Sequence, residues 1–235
     1  MVTRTGKSSK ANSSTRRIIN SFEELLRIMK EHNAGRYVYR GEDDVRYKLR
    51  PKIGRYEYEN KTDLFEREAA ILNEFKRRTA PYITHSPASD LDWLAVAQHH
   101  GLATRLLDWT ENLFVAAYFA TRDYQKTPDR TIYALDTDDL EYLDHDQDPF
   151  AVKNVAILEP KLVSPRIAAQ MGVFTVHEEP RQEFRHLKLE RWVIREAAVI
   201  DIGLSLDQLG FNSATMFPGL DGVAAHINEW HLKEE

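Results

Sequence analysis

The chain has 235 residues, of which 42% are hydrophobic and 29% charged, enough to bury a full core in one domain. It has no cysteine, which excludes disulfide-linked partners, thiolate nucleophiles and Cys-type zinc sites. The net charge is −5, yet residues 1–17 carry Arg4, Lys7, Lys10, Arg16 and Arg17 with no acid, so the remainder carries −10. The Ser-rich basic residues 1–17 are expected to be a disordered tail preceding one domain over 18–235. An acidic body is a poor general binder of phosphate backbones. No apolar run is long enough to span a bilayer and the N-terminus lacks a signal-peptide core, so a cytoplasmic protein without a membrane partner is expected.

In chain order, Ser21 to Glu24 reads as a capping box, followed by an apolar stripe at Phe22, Leu25, Leu26 and Met29; the helix runs to about His32 and Gly35 ends it. Tyr37 to Tyr39 has strand character and delivers Arg40 and Gly41 at its end. Thr62 to Thr79 is helical, closed by Pro81. Ser89 caps a further helix, with Gln98, His99 and His100 on its last turn and Gly101 as C-cap glycine. Thr110 to Asn112 starts a helix over Leu113 to Arg122 that is apolar nearly all round, hence buried. Residues 98–110, QHHGLATRLLDWT, therefore read as an elbow between two helices. Strands are expected at 131–135, 151–158, 173–177, 191–194 and 197–202, a short helix from Ser164-Pro165 to before Gly172, and last helices at 204–209 and from Gly219 to about Trp230. The acidic run 136–148 reads as a solvated loop. The fold class expected is α+β, with helices packed on an irregular, mainly antiparallel sheet.

Arg40, at a strand end beside a glycine, suits a bidentate grip on phosphate or carboxylate; a brace to a buried aspartate such as Asp108 is the alternative. His99 and His100 are adjacent on one helix and point about 100° apart, so no metal site is expected. His100, beside the glycine turn, is preferred as a proton shuttle or ribose hydrogen-bonder, against a role capping helix-end carbonyls. Arg105 and Asp108 meet if one turn of helix forms, and then either tie the elbow or face a ligand. Trp109 is read as core, with stacking on a planar ring as the alternative. The Gln170 amide is suited to reading a base or a nicotinamide amide, or to satisfying a strand edge. No Gly-rich phosphate loop, Gly-x-Ser-x-Gly elbow or Rossmann glycine pattern is present.

Tyr39-Arg40-Gly41, the 98–110 block, Ala116 to Ala120, Pro165 to Phe174 and Met216 to Gly222 resemble, in that order, the FRG domain, named for its Phe/Tyr-Arg-Gly motif. That domain is in turn similar to the ADP-ribosyltransferase fold, where a first-strand arginine holds NAD and a late-strand glutamate catalyses transfer. The resemblance implies NAD as substrate and Arg40 in the place of that arginine; with the residues weighed above, the expected site has Arg40 and His100 as catalytic residues and Tyr39, Gly41, Gln98, His99, Thr104, Arg105, Asp108 and Gln170 around the nucleotide. A protein or nucleic acid is the implied acceptor, and a toxin or phage-defence effector the implied setting. No glutamate stands out near the last strand; Glu178, Glu179, Glu183 and Glu196 are the acids available there. A non-catalytic nucleotide or nucleic-acid binding module is the second reading, and a nuclease the third.

Overall fold

The computed structural model describes residues 16–32, 36–57, 61–123, 128–161 and 164–232. Gly35 and most of the expected tail lie outside them. Strand β1 (Arg16–Ile19) starts inside that tail and leads into helix α1 (Phe22–Glu31). The Ser21 hydroxyl accepts the Glu24 N–H at 3.4 Å, as the capping pattern requires, and Leu25 and Ile28 form the buried face. The remaining elements are β2 (Tyr37–Glu42), α2 (Lys61–Thr79), α3 (Asp90–His99), β3 (Leu106–Thr110), α4 (Leu113–Thr121), β4 (Arg130–Asp136), β5 (Glu141–Tyr142), β6 (Ala156–Leu158), α5 (Pro165–Gln170), β7 (Gly172–Val176), β8 (Leu189–Ile194), α6 (Val199–Gln208), α7 (Ser213–Met216) and α8 (Leu220–Leu232).

The strands form one mixed sheet in the order β1-β8-β4-β2-β3-β7-β6-β5. The interior pairs are antiparallel and the two edge pairs, β1 with β8 and β5 with β6, are parallel. This is the α+β fold that the residue pattern implies. Alternation along the strands separates the two faces. Tyr39, Ile132 and Ala134 pack with α1, α4 and α6, whereas Leu106, Phe174 and Val176 pack with α2 and α3. On the opposite face Val38, Leu107, Trp109, Tyr133 and Leu135 are covered by Leu49 and Phe184 from loops. The helical layer thus comes in two blocks, and β2 and β3 lie beneath their boundary.

Three expectations are corrected. Residues 106–110 form a strand, not a helical turn, so 98–110 joins a helix to a strand. Residues 197–202 are helical: Val199, Ile202, Gly203 and Leu206 are buried at helical spacing, a period that a short apolar run does not separate from strand alternation. The strand expected at 151–158 is confined to Ala156–Leu158.

Because 106–110 is extended, Arg105 and Asp108 do not meet. Arg105 is fully buried, donating from Nε and an η nitrogen to Glu68 Oε2 at 2.9 and 2.8 Å, and from its other η nitrogen to the Pro149 carbonyl at 3.0 Å. Its backbone N–H also bonds Glu68, and its guanidinium lies 4.5 Å from the Phe150 ring centre. This pair clamps α2 to the start of β3, and Arg105 is not a ligand-facing residue. Arg105→Leu strands the Glu68 carboxylate and is expected to cost about 3–5 kcal/mol; urea unfolding measures it, and an unchanged midpoint would refute the clamp.

Candidate functional site

Strands β2 and β3 share one register pair, Tyr39 with Thr110, whereas β2 pairs with β4 along its whole length. Beyond that pair they part, and Arg40 takes up the opening. Arg40 starts on the same face as Val38, but its guanidinium donates to the Asp108 carbonyl at 2.8 Å, the Asp108 carboxylate at 3.4 Å and the Glu42 carboxylate at 2.7 Å. Burial opposes its charge, but Glu42 and Asp108 more than offset this and hold its pKa above the ordinary arginine value. Of the two uses weighed for Arg40, the brace to Asp108 is the one its geometry displays.

Asp108 is held from a second side. The Leu106 N–H donates to the Thr104 hydroxyl at 3.1 Å, that hydroxyl donates to Gln98 Oε1 at 2.7 Å, and Gln98 Nε2 donates to Asp108 Oδ2 at 2.9 Å. The relay has one direction only, so it fixes the Gln98 amide and aims the carboxylate. It starts from the end of α3, where Gly101 adopts φ +84 and Leu102 N–H and Gly101 N–H close on Ala97 and Gln98 carbonyls. This is the Schellman ending expected of a helix stopped by glycine.

A cleft of about 240 Å³ opens over these groups. Its walls include Tyr39, Arg40, Gly41, Glu42, Asp43 and Asp108, and Phe119, Arg122, Arg166 and Gln170 complete the rim. Gly41 lets β2 lie directly against α4, since a Cβ there would stand 1.8 Å from the Ala116 carbonyl oxygen. Arg122 and Arg166 both lie over the Phe217 ring, at 5.8 and 4.5 Å from its centre. Arg166 Nε is buried without a hydrogen-bond partner, and burial lowers the Arg166 pKa, opposed by Asp108 and reinforced by Arg122. A side pocket continues from Asp108 and Arg166 to Gln98 and His99. His99 is half-buried, its pKa pushed down to about 4 by burial, then Arg166 and His100, so it is neutral at physiological pH.

The cleft therefore gathers Tyr39, Arg40, Gly41, Asp108 and Gln170, with Gln98 and His99 beside it and Thr104 behind. It does not gather His100, which is exposed at the end of α3, or Arg105. Tyr39 is mostly core, its hydroxyl pKa raised to about 12 by burial. The Gln170 amide is spent on the Met216 carbonyl at 2.9 Å, and the Gln170 carbonyl accepts the Thr110 hydroxyl at 2.6 Å. None of the late acids lines the cleft: Glu179 and Glu183 bond Arg181 and Arg185 at 3.0 Å each, and Glu178 and Glu196 are exposed. Glu42, Asp43, Phe119, Arg122 and Arg166 were missed. Arg122, the first charge after an apolar helix, and Arg166, beside the helix-starting Pro165, carried the available signal.

The floor is anchored by a buried chain: Trp109 Nε1–H donates to the Thr175 hydroxyl at 2.9 Å, and that hydroxyl shares a hydrogen bond of 2.8 Å with His177 Nε2. Burial, then the charges of Arg105 and Arg40, pushes the His177 pKa down to about 3. In the unfolded chain a histidine binds its proton near pH 6.5, well before the folded one. Stability is thus complete above that pH and is lost as pH falls toward 3, with His99 adding in the same direction. The urea midpoint is expected to drop between pH 7 and 4, and His177→Gln to flatten that slope; an equal slope in the variant would contradict this assignment.

Comparison with known proteins returns one family. Residues 35–129, which hold β2, α2, α3, β3 and α4, match the family model of the FRG domain. No curated protein and no solved structure matches the chain. An FRG domain is thus present over 35–129, and every residue that braces Asp108 lies inside that span.

Proposed function

We propose that the cleft binds NAD and that the chain is an enzyme of ADP-ribosyltransferase type. The observation that carries this reading is the Asp108 carboxylate, held by Arg40 and Gln98, in one cleft with Arg122 and Arg166. Guanidinium groups suit the oxygens of a diphosphate, and those of Arg122 and Arg166 share the Phe217 ring as a backing. A pre-aimed carboxylate suits a ribose carbon that becomes positive as its bond to nicotinamide breaks.

In this mechanism the bond from ribose C1′ to the pyridinium nitrogen breaks, and nicotinamide leaves neutral with the electron pair. Asp108 stabilises the oxocarbenium charge, and an oxygen or nitrogen of the acceptor bonds C1′ and gives up its proton to solvent water. The acceptor is a protein or nucleic-acid group, or water in simple hydrolysis. Arg40 acts here as a positioning residue for Asp108 rather than as the phosphate grip, and His100 has no part. An NAD-consuming activity of this kind is what a cytoplasmic toxin or phage-defence effector would use.

A second reading, a nucleotide-binding module without turnover, is favoured by one specific feature: the Nε and one η nitrogen of Arg40 are already taken by Glu42 and Asp108. Incubation of the purified chain with NAD separates the two, following nicotinamide release and mass added to acceptor protein or nucleic acid. Asp108→Asn is expected to lower release about 100-fold or more with NAD still bound. Arg166→Ala should weaken NAD binding about tenfold or more. Thermal stabilisation by NAD without release supports the binding module. No stabilisation by NAD or any nucleotide tried would reject both readings.

A further inference from the structure

Helix α8 carries Leu220, Val223, Ile227 and Trp230 on one stripe, and they are 88, 45, 51 and 66% exposed. The adjoining side of the helix is already anchored. Gly222 is buried against the Phe217 carbonyl, Glu229 accepts the Ser213 hydroxyl at 2.6 Å, and His226 faces Asp207 of α6 at 3.7 Å. The stripe therefore cannot turn inward without breaking these contacts. Leu204 of α6, 51% exposed, lines one groove with Trp230, and Ile200, 59% exposed, lies one turn earlier on the same helix face.

At roughly 150 Å² for a fully exposed aliphatic side chain and roughly 250 Å² for tryptophan, these six present on the order of 600 Å² per copy. That stands at the top of the roughly 300–600 Å² range of the largest apolar patch on a typical monomer. It approaches the roughly 800 Å² per partner of a standard specific interface before any polar rim is counted. The stripe also has a property that selects its occupant. Its spacings of three, four and three residues read identically in both directions, so a helix laid antiparallel across a two-fold axis meets it in register. Leu220 then faces Trp230 of the second copy, and Val223 faces its Ile227. A two-fold contact needs one self-complementary patch, and this stripe is one.

We propose that the chain is a homodimer held by antiparallel pairing of α8 across a two-fold axis, with Leu204 and Ile200 of α6 at its flank. This rests on surface geometry alone and is independent of what the cleft binds. Sedimentation velocity and light scattering of the full chain should give twice the chain mass at micromolar concentration. Ile227→Glu and Trp230→Glu should each raise the dissociation constant about 100-fold or more with an unchanged far-ultraviolet circular dichroism spectrum. Orientation is read by cross-linking, which the cysteine-free chain makes unambiguous. Mixing chains bearing Val223→Cys with chains bearing Ile227→Cys should give an oxidised, disulfide-linked pair, whereas neither variant links efficiently to itself. Monomer mass throughout the micromolar range overturns the proposal. So does a dimer indifferent to both glutamate variants, or one in which Val223→Cys links to itself as readily as in the mixture.

Discussion

The guanidinium of Arg40 in the opening between β2 and β3 is the contact on which the site depends. Two strands that part after one register pair leave a backbone carbonyl, that of Asp108, with no ladder partner, and a buried unpaired carbonyl costs about as much as a lost hydrogen bond. Arg40 supplies the missing donor. Its charge then needs compensation in a poorly solvated place, and Glu42 and the Asp108 carboxylate provide it. The same pairing that closes the sheet thus sets a carboxylate at the cleft.

The surrounding structure holds that arrangement from both ends of β3. At its start the buried Arg105 and Glu68 pair fixes the strand to α2, and from the end of α3 the Thr104 and Gln98 relay aims Asp108. At its far end the Thr110 hydroxyl joins the strand to α5, while the Trp109, Thr175 and His177 chain pins it on the opposite face. Arg40 and Arg105 therefore divide into a group at the cleft and a group in the core, because Arg40 reaches Asp108 from β2 whereas Arg105 is held by Glu68 of α2.

The caps of α1, α3, α4 and α5, the strands β2, β4, β7 and β8, and the αL glycine after α3 were legible in the sequence, because each is a local signal. Residues 106–110 and 197–202 were not, since five or six apolar-rich residues suit either period and only the neighbouring layer decides. In the cleft, Arg40, Asp108, Gln98 and Gln170 were legible as polar residues close in sequence to Gly41, Gly101 and Gly172. Arg122 and Arg166 reach it from separate helices, and Glu42 only because β2 outlasts its pairing with β3, so no spacing along the chain announces them. Glu68 lies 37 residues before Arg105, too far for any local pattern to join the two.

Gly41 presses β2 onto the backbone of α4 with no side chain between them. Side chains that interdigitate can shift rotamers and absorb a displacement, but two backbones in contact transmit it undamped. Arg40 is the next residue along, and Arg122 follows the end of α4. The distance between the two arginines across the cleft is thus set by backbone lying on backbone rather than by the fit of side chains.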